Sequence, residues 1–157
     1  MPLLLVRHGN AGRRSAYQGD DRVRPLSKRG RDQAEALVEV LREFRPQRIL
    51  SSPYVRCCET VQPTAEALGL AVESIDELAE GHGPDAVRLL ERMAGESAVL
   101  CTHGDVSTEV LVALHPDEES DPGPATRLQK GEVWVIQSTG TRLEIVDHLR
   151  PPKVVVP

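Results

Sequence analysis

Apolar and polar positions alternate along the chain in blocks that predict strands followed by helices. Residues 3–6 are continuously aliphatic, which is typical of a strand buried on both faces of a parallel sheet. Shorter apolar runs at 48–51, 71–75 and 97–102 predict three more strands, and stretches with helical spacing lie between them. We therefore expect an α/β fold of three layers, in which helices flank a mostly parallel sheet.

Capping and helix-breaking residues set the expected bounds of the helices. Ser27 can cap the first helix, and Ser52 followed by Pro53 has the pattern of a cap and a first helical turn. The second helix is expected to bend near Pro63 and to end at Gly69. Residues 84–94 and 106–114 are predicted to form the third and fourth helices.

The end of the chain has a different pattern, which predicts an antiparallel hairpin. Residues 131–137 and 141–147 are predicted as strands that a short turn through residues 138–140 joins. We expect a single domain over residues 1–149, followed by a proline-rich tail at 150–157.

Composition and charge narrow the class of protein. The 157 residues carry a net charge of -5, yet residues 1–31 contain eight Lys or Arg and only two Asp. A basic segment in an acidic chain indicates local attraction for an anion, whereas a nucleic-acid binder is more often basic throughout. We expect a cytoplasmic protein, because the N-terminus has no signal-peptide pattern and no apolar run is long enough to span a membrane. The odd number of cysteines, three, leads us to expect reduced thiols.

Residues with catalytic chemistry follow three of the predicted strands. Arg7 and His8 follow the first strand, Arg56 lies one turn into the helix after the second, and His103 follows the strand at 97–102. Ligands of such sheets bind beyond the carboxyl ends of the strands, so we expect these four side chains to meet. Guanidinium groups bind phosphoryl oxygens through paired hydrogen bonds, and an imidazole can attack phosphorus. The pattern predicts a phosphate site.

The loop beside this site contains further arginines, namely Arg13, Arg14, Arg22 and Arg24. They would suit a polyanionic substrate, either a phosphorylated small molecule such as a nucleotide or a phosphoprotein. We expect neither a metal nor a cofactor, because the arginines at the site would repel a cation and no metal-ligand spacing is present.

Three motifs resemble those of the histidine phosphatase superfamily, which includes phosphoglycerate mutases and acid phosphatases: LLLVRHG, SSPYVRCCET and CTHGD. The compact length and the run RPLSKRGRDQAEAL are similar to its small branch, which includes bacterial protein phosphohistidine phosphatases. GDDRVRPLSKRGRDQAEALV and KGEVWVI are similar to the C-terminal phosphatase-like domain of some actinobacterial MutT-type nucleotide hydrolases, which follows a Nudix domain.

The resemblance implies a role for each matching residue. His8 would be the nucleophile that becomes phosphohistidine, and Arg7, Arg56 and His103 would hold the transferred phosphoryl group. Asn10 is a further candidate for phosphate binding.

The resemblance also implies a glutamate that acts as general acid, and two residues are candidates. Glu80 is preferred to Glu77, because Gly81 and Gly83 would let its loop fold over the phosphate. His82 and Asp105 come next.

A metal-independent phosphatase is the function that these residues predict. A phosphate-binding regulatory module without turnover is the alternative, and a phosphomutase is a third possibility that the short chain disfavours. The oligomeric state, and whether the chain works with a separate Nudix-type protein, are left open.

Overall fold

The computed structural model describes residues 1–115, 127–140 and 142–151, and six strands form a single sheet in it. The strands are β1 Leu3–Arg7, β2 Arg48–Ser51, β3 Val72–Ser74, β4 Ala98–Thr102, β5 Val133–Thr139 and β6 Arg142–Leu149. Their order across the sheet is β3-β2-β4-β1-β5-β6. The first four strands are parallel, whereas β5 runs antiparallel to β1 and β6 antiparallel to β5.

Four helices cover the two faces of the sheet. They are α1 Lys28–Arg42, α2 Val55–Leu68, α3 Gly83–Arg92 and α4 Gly104–Leu114. Leu4 and Val6 of β1 pack in one core with residues of α1 and α2, whereas Leu3 and Leu5 pack in a second core with residues of α3 and α4. Successive side chains of a strand point to opposite faces, so a continuously aliphatic β1 contributes to both cores. The three-layer α/β prediction and its C-terminal hairpin are confirmed.

The predicted start of α2 is wrong by about two residues. Its cap is Tyr54 and its first residue is Val55, so Pro53 lies before the helix. The Ser52 hydroxyl does accept the N–H of Tyr54, at 3.2 Å, but the same oxygen also lies 2.8 Å from Nε2 of His103. Ser52 is thus drawn into the contacts of that histidine and does not act as the cap.

Smaller differences concern the ends of other elements. α3 begins at Gly83 and ends at Arg92, α4 begins at Gly104, and β5 ends at Thr139, two residues beyond its predicted end. α2 passes through Pro63 and ends at Gly69, which has the left-handed conformation predicted for a terminal glycine. Residues 152–157 of the predicted tail lie outside the described part of the chain, so the domain boundary stays a prediction.

Within the described ranges, the helices are too short or too polar to cross a bilayer.

Candidate active site

His8 follows β1 directly and is held by two hydrogen bonds. Its backbone N–H donates to the carbonyl of Thr102 at 3.1 Å, and its Nδ1 lies 2.8 Å from the carbonyl oxygen of Gly9. A carbonyl oxygen can only accept, so Nδ1 must carry the proton in the neutral ring. The lone pair of that ring is then on Nε2.

Burial keeps the His8 ring neutral. The residue is 7 % exposed, and desolvation lowers its pKa to about 3; the hydrogen bond to Gly9 opposes this shift, while the charges of Arg56 and Arg7 add to it. At neutral pH the imidazole therefore keeps the lone pair that an attack on phosphorus requires.

The segment after His8 is pressed against the start of α1. A Cβ at Gly30 would lie 1.9 Å from the carbonyl oxygen of Asn10, so only glycine permits this contact. The Asn10 side-chain oxygen accepts the Ser27 hydroxyl at 2.7 Å and the N–H of Gly12 at 3.1 Å. These contacts join Asn10 to the cap of α1, and Asn10 is not among the residues that line the cleft described below. Its role in phosphate binding stays a prediction.

Arg7, at the end of β1, packs against the first residue of α4. A Cβ on Gly104 would lie 2.7 Å from Cζ of Arg7. Nη1 of Arg7 donates to the carbonyl of Leu128 at 3.0 Å, whereas its buried Nε has no acceptor among the residues that the structure describes. An unmade hydrogen bond of a buried charged donor is costly, so Arg7 is suited to an anion that would supply the acceptor.

Arg56, in the first turn of α2, is 1 % exposed. Its Nη1 donates to the carbonyl of Asp21 at 2.8 Å, and its Nη2 lies 3.1 Å from the Asp21 carboxylate and 3.5 Å from that of Glu80. Like that of Arg7, its buried Nε lacks an acceptor within the described ranges. Two inner guanidinium groups thus each retain a free donor.

His103 connects the cleft to a buried polar cluster behind it. Its Nε2 lies 2.8 Å from the Ser52 hydroxyl oxygen and 3.5 Å from the Cys57 sulfur. Its ring centroid is 5.4 Å from that of His8 and 4.6 Å from that of Tyr54. The second histidine therefore sits next to the first with a fixed ring orientation.

Asp21 organises the arginine-rich loop, and the sequence analysis assigned it no role. Its carboxylate pairs with Arg24 at 2.8 Å, Arg56 at 3.1 Å and Arg14 at 3.4 Å. Burial alone would raise the pKa of Asp21, but these three guanidinium groups lower it overall. Its place between Arg14 and Arg24 in the basic segment was the available signal, because arginines in such a density need a counterion.

The two candidate acids have different surroundings. Glu80 pairs with Arg14 and with Arg56 and lines the cleft. Glu77 pairs with Arg92 of α3 and does not line the cleft. Glu80 is thus the one of the two that lies in the cleft, and its role as proton donor stays a prediction. Of the next candidates, Asp105 lines the cleft and accepts the N–H of Gly81 at 2.8 Å, while His82 lines a neighbouring cavity and contacts Asp85.

The four residues predicted to meet at the ends of the strands line one cavity of about 840 Å³: Arg7, His8, Arg56 and His103. Its other charged lining residues are Arg13, Arg14, Arg24, Glu80, Asp105, Arg127 and Lys130. Of the predicted loop arginines, only Arg22 is elsewhere, since it pairs with Asp20 and lines the neighbouring cavity.

Lys130 and Arg127 also line the cleft, although nothing in the sequence predicted that this part of the chain lies at the site. They precede β5, which is antiparallel to β1 and pairs Val133 with Val6. The start of an antiparallel strand lies at the same edge of the sheet as the ends of the parallel strands. The motif KGEVWVI could have given this signal, had the direction of the hairpin relative to β1 been known.

Comparisons with known proteins agree with this arrangement. An 8-oxo-(d)GTP phosphatase of Mycolicibacterium smegmatis is 40 % identical over 157 residues, which is 96 % of this chain and 48 % of that protein. The chain thus spans about half the length of this relative.

Solved structures share the fold. A protein of Agrobacterium tumefaciens assigned as the phosphohistidine phosphatase SixA superposes with a TM-score of 0.79 at 25 % identity, covering 96 % of this chain and 97 % of that one. The protein histidine phosphatase SixA in complex with tungstate gives 0.77 at 21 % identity over the same shares.

The family assignment rests on the first half of the chain, which carries β1, the arginine-rich loop and Arg56. Residues 3–87 match the sequence model of the histidine phosphatase superfamily, branch 1. Membership supports a phosphatase activity, which agrees with the cluster of histidine and arginine at the rim of the sheet. This chain belongs to the histidine phosphatase superfamily.

Proposed function

We propose that this chain is a phosphatase that hydrolyses phosphate monoesters or phosphoramidates through a phosphohistidine intermediate on His8. The observation that carries the proposal is the neutral, oriented His8 ring, which shares a cleft with the half-buried guanidinium of Arg7 and the buried one of Arg56, each of whose Nε atoms lacks an acceptor among the described residues.

In the first step, Nε2 of His8 attacks the phosphorus atom. The N–P bond forms while the P–O or P–N bond to the leaving group breaks, and the electron pair of that bond stays with the leaving group. Arg7, Arg56 and His103 stabilise the charge on the transferred oxygens, the role that metal ions take in other phosphoryl-transfer sites. Glu80 passes to the leaving atom a proton that its carboxylate takes from the monoanionic phosphate group of the substrate.

A phosphoryl group would also change the partners of Glu80. In the free protein Oε2 of Glu80 is 3.5 Å from Nη2 of Arg56. Phosphoryl oxygens compete for the same guanidinium, which would leave Glu80 free to act on the leaving group. In the second step its carboxylate takes a proton from water, the water oxygen attacks phosphorus, and inorganic phosphate leaves as the His8 lone pair is restored.

Two substrate classes fit this mechanism. A phosphorylated protein side chain is one, and a phosphorylated metabolite or nucleotide is the other. The nucleotide class is favoured by the mycobacterial relative, whose name is 8-oxo-(d)GTP phosphatase, and by the number of basic residues around the cleft.

Trapping the intermediate tests the proposal. With p-nitrophenyl phosphate, rapid quenching should yield a phosphoenzyme that is labile in acid and stable in base, and His8→Ala should abolish both its formation and phosphate release. His115→Ala is the matched control, because His115 follows the C-terminal end of α4 and does not line the cleft. Full activity in His8→Ala, or loss of the wild-type activity with EDTA, would contradict the mechanism. Anion binding without any turnover would favour the regulatory module instead.

A further inference from the structure

The cleft carries more positive charge than a single phosphoryl group needs. Among the residues that the structure describes, seven arginine or lysine side chains line it, against two carboxylates, Glu80 and Asp105. Arg7 and Arg56 lie beside His8 and would bind the transferred group. Arg14 and Arg24 are paired with Asp21, and Arg14 also with Glu80.

Three basic side chains of the cleft have no counterion among the residues that the structure describes. Arg13, Arg127 and Lys130 form no ion pair with any residue in the described ranges. Arg13 and Arg127 are exposed, but Lys130 is half-buried. Burial lowers the pKa of Lys130, and the nearby charges of Arg7, Arg24 and Arg56 lower it further. Like charges held together in this way are unfavourable in the free protein, and a bound anion would relieve the repulsion.

The segment that carries Lys130 is fixed directly to the phosphoryl site. The N–H of Gly131 donates to the backbone carbonyl of Arg7 at 2.9 Å, and Nη1 of Arg7 donates to the carbonyl of Leu128 at 3.0 Å. Arg127 is also close enough to Arg7 for their charges to interact. Burial is the main cause that lowers the pKa of the Arg7 guanidinium, and the charge of Arg127 lowers it further. Lys130 and Arg127 thus lie near the place where the transferred group would bind, and Arg13 lines the same cleft.

We propose that Lys130, together with Arg13 and Arg127, forms a second anion subsite, so that the preferred substrate is a phosphoanhydride such as a nucleoside diphosphate or triphosphate. This rests on the proposed function. The terminal phosphoryl group is transferred to His8, the bridging P–O bond breaks, and its electron pair stays on the departing phosphate. Water then hydrolyses the phosphohistidine. Lys130 stabilises the departing phosphate, a group that a phosphorylated protein side chain lacks.

Calorimetric titration with inorganic phosphate and with pyrophosphate tests the subsite, and every protein titrated also carries His8→Ala, so that no phosphohistidine can form and pyrophosphate is not turned over. With Lys130 in place, pyrophosphate should bind about 10-fold more tightly than phosphate, the size of one added charge-assisted hydrogen bond. Lys130→Met removes the charge and keeps most of the apolar stem, so it should bring the ratio of the two dissociation constants close to one. Lys28→Met is the matched control, because Lys28 is exposed on α1 and pairs with Asp32. Thermal melting checks that both variants fold.

The outcomes separate this inference from the proposed function. Phosphate binding with no preference for pyrophosphate would overturn the subsite and leave the proposed function standing. Failure to bind either anion would overturn both. A loss of preference in Lys28→Met equal to that in Lys130→Met would also overturn the subsite. Steady-state kinetics complete the test: a phosphohistidine peptide hydrolysed with a higher kcat/KM than a nucleoside diphosphate would contradict the substrate class.

Discussion

Arg56 differs from the surface arginines in the shape of the contact that it offers. It is almost fully buried, and its guanidinium is held by Asp21 while its Nε has no acceptor among the described residues. A lysine keeps the charge but cannot form the two-pronged contact with phosphoryl oxygens. We expect Arg56→Lys to lower kcat/KM for p-nitrophenyl phosphate by about 10-fold to 1,000-fold, the scale of one lost transition-state donor.

Arg48→Lys is the control for this prediction. Arg48 pairs with Glu73 and Glu96 at the opposite end of β2 and is partly exposed, so the same change there should leave the kinetics near those of wild type. Normal kinetics in Arg56→Lys would mean that Arg56 does not bind the transferred group. A thermal melt of each variant separates loss of activity from loss of the fold.

The glutamates of the loop before α3 form a natural pair of variants. A poor leaving group needs a proton from the enzyme and a good one does not, so Glu80→Gln should cost about 100-fold or more with an alkyl phosphate and much less with p-nitrophenyl phosphate. Glu77 pairs with Arg92 outside the cleft, and Glu77→Gln should show no such dependence. Exchanged behaviours would identify Glu77 as the acid, and no dependence in either variant would place the donor elsewhere.

At the level of elements, the contact between β1 and α4 positions Arg7. Gly104 opens α4, and any Cβ there would meet the Arg7 guanidinium at less than 3 Å. We therefore expect Gly104→Ala to displace Arg7 and to lower kcat/KM by about 100-fold, as small misplacements of a ligand-binding group can do. Its stability should change little, because alanine suits a helix better than glycine.

Val112→Ala serves as the control on the same helix, since Val112 is 62 % exposed and lies away from the cleft. It should keep wild-type kinetics. If Gly104→Ala were as active as wild type, the position of Arg7 relative to α4 would not matter for the reaction.

At the level of the whole molecule, the buried His8 links the stability of the fold to pH. Its pKa is about 3 in the folded protein and near 6.5 in the unfolded chain. Below pH 6.5 the unfolded chain binds a proton that the folded protein does not, so stability is lost as the pH falls from 6.5 towards 3 and is constant above 6.5.

The variant His8→Gln lacks this linkage. Between pH 6 and pH 5, the free energy of unfolding of the wild type should fall by about 1.2 kcal/mol more than that of the variant, slightly less than the value of one whole proton per pH unit because the unfolded histidine is not yet fully protonated at pH 6. Urea unfolding at several pH values between 4.5 and 7.5 measures both curves. Parallel curves would show that His8 becomes protonated in the folded protein at its ordinary pKa.

The sequence by itself determined the fold class, with strands and helices that alternate along a mostly parallel sheet. It also determined that Arg7, His8, Arg56 and His103 lie close together. These predictions depend on local periodicity and on one general property of sheets, that the carboxyl ends of parallel strands share an edge. Each of the four residues follows a strand closely, so little tertiary information is needed to bring them together.

Only the tertiary structure decided which other residues surround these four in the site. Asp21 meets arginines 3 to 35 residues away, and which of them it pairs with depends on how the loop folds over α2. Lys130 reaches the cleft because β5 joins the sheet beside β1 in the antiparallel direction. Glu80 and Glu77 are separated by the direction of their side chains in one short loop. Strand order, loop path and side-chain direction arise from long-range packing, which local periodicity does not encode.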